Sequence, residues 1–505
     1  MRHIFRSLLL LLLAVALRAQ SVELTILHYN DLHAQNVPAT VNATIDGVRQ
    51  KVDAGGYAVL KAYVDRERAG RDNVLLLHAG DDFQGTPISS ITKGRSQFEL
   101  LELMQPDVMT LGNHEFDYGT ENLRQLLPTV TFPIVSANLW DKTRGAPFVP
   151  RYRVLHRAGM AIGVIGLAPT ELKTLTMRSN VEDLDVLDAA MVTRHTMHEL
   201  ATRFGVRFFI ILSHMGVQGD SALAAKVPDI DVIVGGHSHT LLRKPKTVNG
   251  TLIVQAGAKG RWLGRLDLTV DAATGTVEKS WGQVIETFTK DVTPDPVMHA
   301  RVRELEAVVD SGLSEVIGEL VTDWKRSGRD DESNIGNWQA DVMRDFAEAD
   351  IAFQNAGGIR KNLDAGPITL RDMWEISPFG NEFVTFTVTG AQLESMLRYQ
   401  AEKTGEFCLV SGLRFTYDYD APPARALTVE VAGMPVDPAR TYTVVTNSYV
   451  GGQLHDVFGL PEAEIDVRPA GAAAVDRDVF IDYVRAQKRI DSRKDGRITL
   501  KGKRK

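Results

Sequence analysis

Val74-Leu75-Leu76-Leu77-His78-Ala79-Gly80-Asp81-Asp82-Phe83-Gln84-Gly85 carries four apolar residues straight into a histidine, a glycine and paired acids. An apolar run without polar alternation is the pattern of a strand buried on both faces, as in a parallel sheet covered by helices. The same order recurs along the chain. Leu24–Leu27 leads into His28-Tyr29-Asn30-Asp31-Leu32-His33, and Val108–Leu111 into Gly112-Asn113-His114-Glu115-Phe116-Asp117. Phe208–Leu212 leads into Ser213-His214-Met215-Gly216, and Val232–Val234 into Gly235-Gly236-His237-Ser238-His239. Ile134–Val135, Ile162–Leu167 and Leu252–Val254 are further runs, with helix-length amphipathic segments such as Tyr57–Ala69 and Ala189–Phe204 between them. The expected fold class is therefore α/β, with a layered domain over residues 22–295. Two prolines and an Asp-Pro precede a stretch, Ala300–Glu319, in which Val302, Leu305 and Val309 have helical spacing, so 296–319 is expected to be a linker helix. A second, smaller α/β domain is expected over 320–495, and Lys501–Lys505 is expected to fray.

The chain has 505 residues, 44% of them hydrophobic and 24% charged, which excludes a disordered, collagen-like or polytopic membrane protein. At roughly 150 residues per domain it holds about two to four domains. With 57 Lys plus Arg against 64 Asp plus Glu and no basic excess, a nucleic-acid polymer is not an expected partner. Cys408 stands alone, so there is neither an intrachain disulfide framework nor a thiolate-rich metal cluster, and its apolar surroundings in Glu406–Gly412 predict burial. Arg2, His3 and Arg6 precede the apolar run Leu8–Leu17, which is short for a roughly 30 Å hydrocarbon core. Residues 1–19 therefore read as a secretory signal peptide cut after Ala19, with an uncleaved anchor as the alternative. The expected location is periplasmic or secreted, with no membrane attachment after cleavage.

Ligands of open α/β sheets bind beyond the carboxyl ends of the strands, so five polar strand-end clusters can converge on one point. Asp31, His33, Asp81, Asn113, His214, His237 and His239 form an oxygen-and-imidazole set without sulfur, suited to Zn, Mn, Co or Fe. Seven ligands exceed the needs of one ion and match two divalent ions that share a carboxylate, for which Asp81 is the candidate. A lone histidine after a strand is more often a loop cap than a ligand; it is the joint order that points to a metal pair. His28 and His78 are read as packing or supporting residues. His114 and Asp117, three apart, face the same side of a helix start, where the carboxylate raises and orients the imidazole. The plainer alternative is that Asp117 caps the helix.

This set resembles the calcineurin-like metallophosphoesterases, and with the C-terminal half it resembles the exported 5′-nucleotidase family, which includes a periplasmic UDP-sugar hydrolase. The resemblance implies that Asp31, His33, Asp81 and His239 hold one metal and that Asp81, Asn113, His214 and His237 hold the other. It implies a catalytic dyad for His114 and Asp117. In the C-terminal half, Gln354-Asn355-Ala356-Gly357-Gly358-Ile359-Arg360 closes a short apolar strand and offers Asn355, the Gly358 backbone and Arg360 to a ligand. The resemblance makes this the nucleotide-binding half, with Arg326 or Arg329 near the substrate, Phe379 and Tyr449 stacking on the base, and Asp456 as a ribose or base partner. Here the chain departs from its relatives: Gly451-Gly452-Gln453-Leu454-His455-Asp456 stands where Gly-Gly-Asp-Gly-aromatic is usual. Either ring has an ordinary core role as its alternative. The expected activity is hydrolysis of nucleoside 5′-monophosphates. The alternatives are 2′,3′-cyclic nucleotide, UDP-sugar or sulfur-ester hydrolysis on the same scaffold, or a nucleotide-binding surface protein without turnover.

Overall fold

The computed structural model describes residues 21–45, 47–326, 331–403, 405–461, 465–470 and 475–503. The expected signal peptide and Arg329 lie outside the described residues. The chain forms two compact units. The first holds the described residues up to Phe83 together with Gly94–Leu172 and Glu182–Arg303, and the second holds Gln84–Lys93, Lys173–Val181 and the chain from Glu304 onward.

Twelve strands frame the first unit. They are β1 (Ser21–Tyr29), β2 (Val74–His78), β3 (Val108–Thr110), β4 (Ile134–Val135), β5 (Tyr152–Arg157) and β6 (Met160–Leu167). Then come β7 (Phe208–Ser213), β8 (Val232–Gly235), β9 (Lys246–Val248), β10 (Thr251–Val254), β11 (Trp262–Asp271) and β12 (Val277–Glu286). They form two six-stranded sheets, in the orders β12-β11-β1-β2-β3-β4 and β9-β10-β8-β7-β6-β5. β1, β2 and β3 run parallel, as do β6, β7 and β8, so each of these groups ends on a common edge. Leu24, Ile26, Leu75 and Leu77 of one sheet share a core with Phe208, Ile210, Leu212, Val232 and Val234 of the other. Phe209 and Ile211 point the opposite way, under the helix Ala189–Phe204. Both faces of β7 are thus covered, which accounts for its unbroken apolar sequence. The helix itself starts where the Asp188 carboxylate accepts the Met191 N–H and stops at Gly205, whose φ of 64° closes the last turn.

The linking helix spans Pro296–Leu313 rather than reaching 319. Proline has no N–H to lose in a first turn, and the Asp295 carboxylate accepts the Met298 N–H at 2.8 Å. Val316–Leu320 is instead a strand paired with Gly366–Thr369. The boundary between the units falls inside this helix, between Arg303 and Glu304.

In the second unit β13 (Ile351–Asn355), β14 (Phe383–Thr389), β15 (Cys408–Ser411) and β16 (Thr441–Asn447) form the main sheet, in the order β15-β13-β16-β14 with Arg468–Pro469 at the edge. Ile351, Phe353 and Val444 fill one core, and Ala352 and Val445 fill another on the opposite face. Cys408 is fully buried, and burial pushes its thiol pKa up. Ser333 caps the helix Asn334–Phe346 through the Gly336 N–H. Lys501, expected in a frayed tail, ends the strand Ile498–Lys501, which pairs with Phe415–Asp418. Among the described residues no helix is long and apolar enough to cross a membrane.

Candidate active site

The loops after β1, β2, β3, β7 and β8 bring the seven candidate ligands together. Ligand atoms of Asp31, His33 and His239 lie within 4.8 Å of one another, as do those of Asp81, His214 and His237, and those of His33, Asp81 and His114. Asp81 and His33 each belong to two of the three groups, so the Asp81 carboxylate has imidazoles of both candidate sets, His33 and His214, within reach. His33 Nε2 stands 2.8 Å from His239 Nε2, and His237 Nδ1 stands 3.1 Å from Asn113 Oδ1. Asp31 Oδ1 lies 3.4 Å from His239 Nε2 and 3.7 Å from His214 Nε2. Asp31, His33, Asp81, Asn113 and His214 are buried, whereas His239 is exposed.

Backbone conformation sets these directions. Asp31, His33, Asp81, His237 and His239 all have φ between 47° and 72°. That left-handed region is sparsely populated outside glycine, and each such residue costs about 1–3 kcal/mol. Strain concentrated on five of the seven candidates marks a site that the rest of the fold holds in place. Glu115 does much of that holding. Its buried carboxylate accepts the N–H groups of Asp81 (3.0 Å), Asp82 (2.7 Å) and Gly112 (2.7 Å), tying the β2 and β3 loops together. A Cβ on Gly112 would lie 2.1 Å from Asp81 Oδ1, so only glycine permits this approach. Asn30 donates to Asp31 Oδ2 at 2.6 Å, and Asp82 is held by Tyr57 and by His78 Nε2 at 3.0 Å. His78 is thus a supporting residue, as expected, while His28 packs over Gly264 in the core, where burial lowers its pKa to about 3.

The electrostatics call for a cation. His214 Nδ1 lies 2.5 Å from the Ala79 carbonyl, so that nitrogen carries a hydrogen and Nε2 faces the cluster. Nε2 approaches Asp81 Oδ2 to 2.9 Å yet makes no hydrogen bond of acceptable geometry. Burial pulls the His214 pKa down, but Asp81 and Asp31 push it up to about 10; burial and His214 together lower His237 to about 4. A buried nitrogen aimed at carboxylates without a proper hydrogen bond fits a metal ligand, and the N/O donor set fits borderline divalent ions.

His114 Nδ1 lies 2.8 Å from Asp117 Oδ2, and the His114 N–H donates to Asp81 Oδ1 at 2.9 Å. His114–Phe116 is a single 3-10 turn; the following helix begins at Gly119 without a side-chain cap. Asp117 therefore serves the imidazole and not a helix end.

In the second unit β13 and β16 run parallel, so Asn355 and Asn447 end side by side, and Phe383 at the start of β14 pairs with Asn447. Asn355, Gly358 and Arg360, the Phe379 loop and Tyr449 are thereby gathered at one end of the sheet. The Arg360 guanidinium sits 5.6 Å from the centre of the Phe379 ring, and Arg360 Nη2 donates to Gln84 Oε1 at 3.0 Å. Phe379 and Tyr449 are half-buried, and the Tyr449 hydroxyl donates to the Thr174 carbonyl at 2.9 Å. Arg326 Nη1 donates to the Arg360 carbonyl at 3.2 Å. Among the described residues the Asp456 carboxylate makes no bond to this group; Asp456 is exposed on Leu454–Phe458, and its carbonyl accepts from Lys403.

Residues 24–241 match the calcineurin-like phosphoesterase family, and residues 316–458 match the 5′-nucleotidase C-terminal domain. A 5′-nucleotidase of Diplobatis ommata is 31% identical over 547 residues, covering 97% of this chain and 92% of that one. The chain belongs to the 5′-nucleotidase family. The crystal structure of a 5′-nucleotidase precursor from Thermus thermophilus superimposes with a TM-score of 0.85 at 31% identity, over 95% of this chain and all of that one. Endonuclease YhcR of Bacillus subtilis is also 31% identical over 515 residues, but this chain spans only 41% of its length. As a member of the 5′-nucleotidase family, the protein is a metal-dependent phosphoester hydrolase with the two-domain α/β fold expected from its sequence. Sequence reading of this 5′-nucleotidase family member assigns no role to Glu115, Asn30, Tyr57 or Asn447. Glu115 lies inside the stretch Gly112–Asp117, but nothing in residue order shows that its carboxylate turns back to collect three backbone N–H groups.

Proposed function

We propose that the protein is an exported phosphohydrolase that cleaves nucleoside 5′-monophosphates to nucleoside and phosphate with two divalent cations of the Zn, Mn, Co or Fe type. The observation that carries this reading is the convergence of two carboxylates, one amide and four imidazoles on one set of strand ends, with Asp81 common to two groups. Asp31, His33, Asp81 and His239 would hold one cation, and Asp81, Asn113, His214 and His237 the other. When bound, such a pair supplies an attacking water of lowered pKa and positive charge against the phosphoryl oxygens.

The chain's own groups do the rest. Asp117 accepts the Nδ1–H of His114, which orients the ring and favours its protonated form. His114 Nε2–H can then donate to a phosphoryl oxygen and stabilise the charge that grows as the ester bond breaks. Arg360 and Asn355 bind polar atoms of the nucleotide, the Gly358 backbone permits close approach, and Phe379 and Tyr449 stack on the base. Release of nucleoside and phosphate outside the cytoplasm would follow from removal of residues 1–19 during export.

The test is phosphate release from AMP, UDP-glucose, 2′,3′-cAMP and an aryl phosphate after chelation and reconstitution with Mn or Zn. Metal-dependent preference for AMP is the expected result. Aryl phosphate turnover with no preference for AMP would sink the nucleotide reading while leaving the metal site intact. Faster turnover of 2′,3′-cAMP would favour the diester reading, which the relationship to an endonuclease makes worth including. N-terminal sequencing of the exported protein should begin at Gln20, within a few residues.

A further inference from the structure

We infer that Gln255 is the positioning residue for His239: its buried side-chain oxygen holds the residues on either side of that histidine, so that the ring stands ready for a cation. The inference rests on the two-cation reading above and goes further, to what keeps the exposed ligand in place. Strands β8 and β10 run parallel with Val234 beside Val254, so Gly235 and Gln255 leave the sheet side by side. Gln255 is fully buried there. Its Oε1 accepts the Ser238 hydroxyl at 2.8 Å and the Thr240 backbone N–H at 3.1 Å. A backbone N–H can only donate, so the atom facing Thr240 is the amide oxygen. The other end, Nε2, is buried without a hydrogen-bond partner among the described residues, so the oxygen carries the whole polar role of the side chain.

His239 depends on such an anchor more than its neighbour does. His237 and His239 both take left-handed backbone, at φ 72° and 52°, with Ser238 between them. His237 has ties of its own, since its N–H donates to Asp31 Oδ2 at 2.9 Å and its Nδ1 lies 3.1 Å from Asn113 Oδ1. The His239 backbone makes no hydrogen bond among the described residues, and its ring approaches His33 and Asp31, the groups that would share its cation. Its direction is therefore inherited from Ser238 and Thr240. The Val217 N–H also donates to Ser238 Oγ, and the Gly257 N–H to the Thr240 carbonyl, but among the described residues Gln255 alone bonds both neighbours of the ring. The same short stretch carries Asp31. The Ala256 N–H donates to Asn30 Oδ1 at 2.9 Å, and Asn30 Nδ2 donates to Asp31 Oδ2 at 2.6 Å. Gln255 and Ala256 thus tie both sides of one candidate cation to the end of β10.

The experiment measures Mn binding to the full chain by competition with a chelator, in wild type, Gln255→Met, Gln255→Glu and His239→Ala. Met fills the same space without an acceptor, whereas Glu keeps an acceptor oxygen whether or not it is ionised. Wild type should bind Mn in two steps, and His239→Ala should mark the step that belongs to the His239 cation. Gln255→Met should weaken that same step by about 10–100-fold and leave the other where it is. Gln255→Glu should bind both ions as wild type does. A Gln255→Met protein that binds both ions as wild type does overturns the inference. So does one that weakens both steps alike, the mark of a general loss of packing, or a Gln255→Glu protein no better than Gln255→Met. A wild type that binds fewer than two Mn removes the two-cation reading itself, a distinguishable failure. If Gln255→Met does not fold, Ser238→Ala removes one of the two contacts from the exposed side, and an unchanged His239 step there overturns the inference equally.

Discussion

The strand-end cluster of the first unit and the amide-aromatic site of the second are built on opposite principles. In the first, five candidate ligands occupy left-handed backbone and two carboxylates are pressed against imidazoles, so that charge and strain are stored together. In the second, Asn355 and Asn447 keep ordinary φ values of −68° and −86°, and their neutral amides meet at 2.7 Å. The difference follows from the ligand each would take. A cation repays strained, charged loops with several kcal/mol of coordination, whereas a neutral base returns only a stacking and a hydrogen-bond term. The first site should therefore respond to substitution in orders of magnitude and for every substrate, the second in tens and for nucleotides only.

The sharpest way to break this contrast is Asp81→Asn. Loss of the shared carboxylate should lower kcat by about 10³-fold or more for AMP and aryl phosphate alike, with reduced bound metal by elemental analysis. His114→Ala comes next, with kcat down about 10²-fold and metal content kept. Equal loss of metal would make His114 a ligand, as its place beside His33 and Asp81 allows. Glu115→Gln retains the shape but keeps one acceptor for three N–H groups, so metal affinity measured by competition with a chelator should weaken by about 10–100-fold. Phe379→Ala should raise KM for AMP about tenfold, matching a loss of about 1–3 kcal/mol of stacking, and leave KM for the aryl ester in place. Parallel changes in both substrates would end the stacking assignment.

The smallest effect concerns Asp220, a fully buried acid that accepts from Ser213 behind β7, and whose pKa burial raises to about 7. A raised folded pKa means that the native state holds more protons than the unfolded state between the ordinary carboxylate range and pH 7, so stability falls as pH rises through that window. Asn does not titrate. Asp220→Asn should thus gain on wild type by about 1–3 kcal/mol between pH 4 and pH 8, read from thermal melts at each pH. A gap that stays constant with pH would show that Asp220 is already ionised and otherwise satisfied.

How far each region is legible follows the same division. The strands of the first unit can be read because sheets covered on both faces demand continuous apolar runs, and Leu75, Ile210 and Val232 meet that demand wherever they fall. The seven candidate ligands can be read because metal chemistry restricts residue type. Glu115 cannot, since its role depends on a turn of backbone that puts Asp81, Asp82 and Gly112 within reach of one carboxylate. The linking helix is misplaced at its C-terminal end because Val316–Leu320 satisfies helical spacing as well as a strand, and only its partner Gly366–Thr369 decides between them. Gln84–Lys93 and Lys173–Val181 carry no compositional sign that they join the second unit.

By itself the sequence determined the α/β class, the order of the polar strand ends and the elements available for metal coordination, because hydrophobic periodicity and ligand chemistry are local properties. Tertiary structure alone decided how closely the carboxylates and imidazoles approach, which residues hold them there, and which way each buried amide points. Those outcomes depend on distances between segments up to about two hundred residues apart, such as His33 and His239. Hydrogen-bond direction and backbone strain are set only once such segments have met.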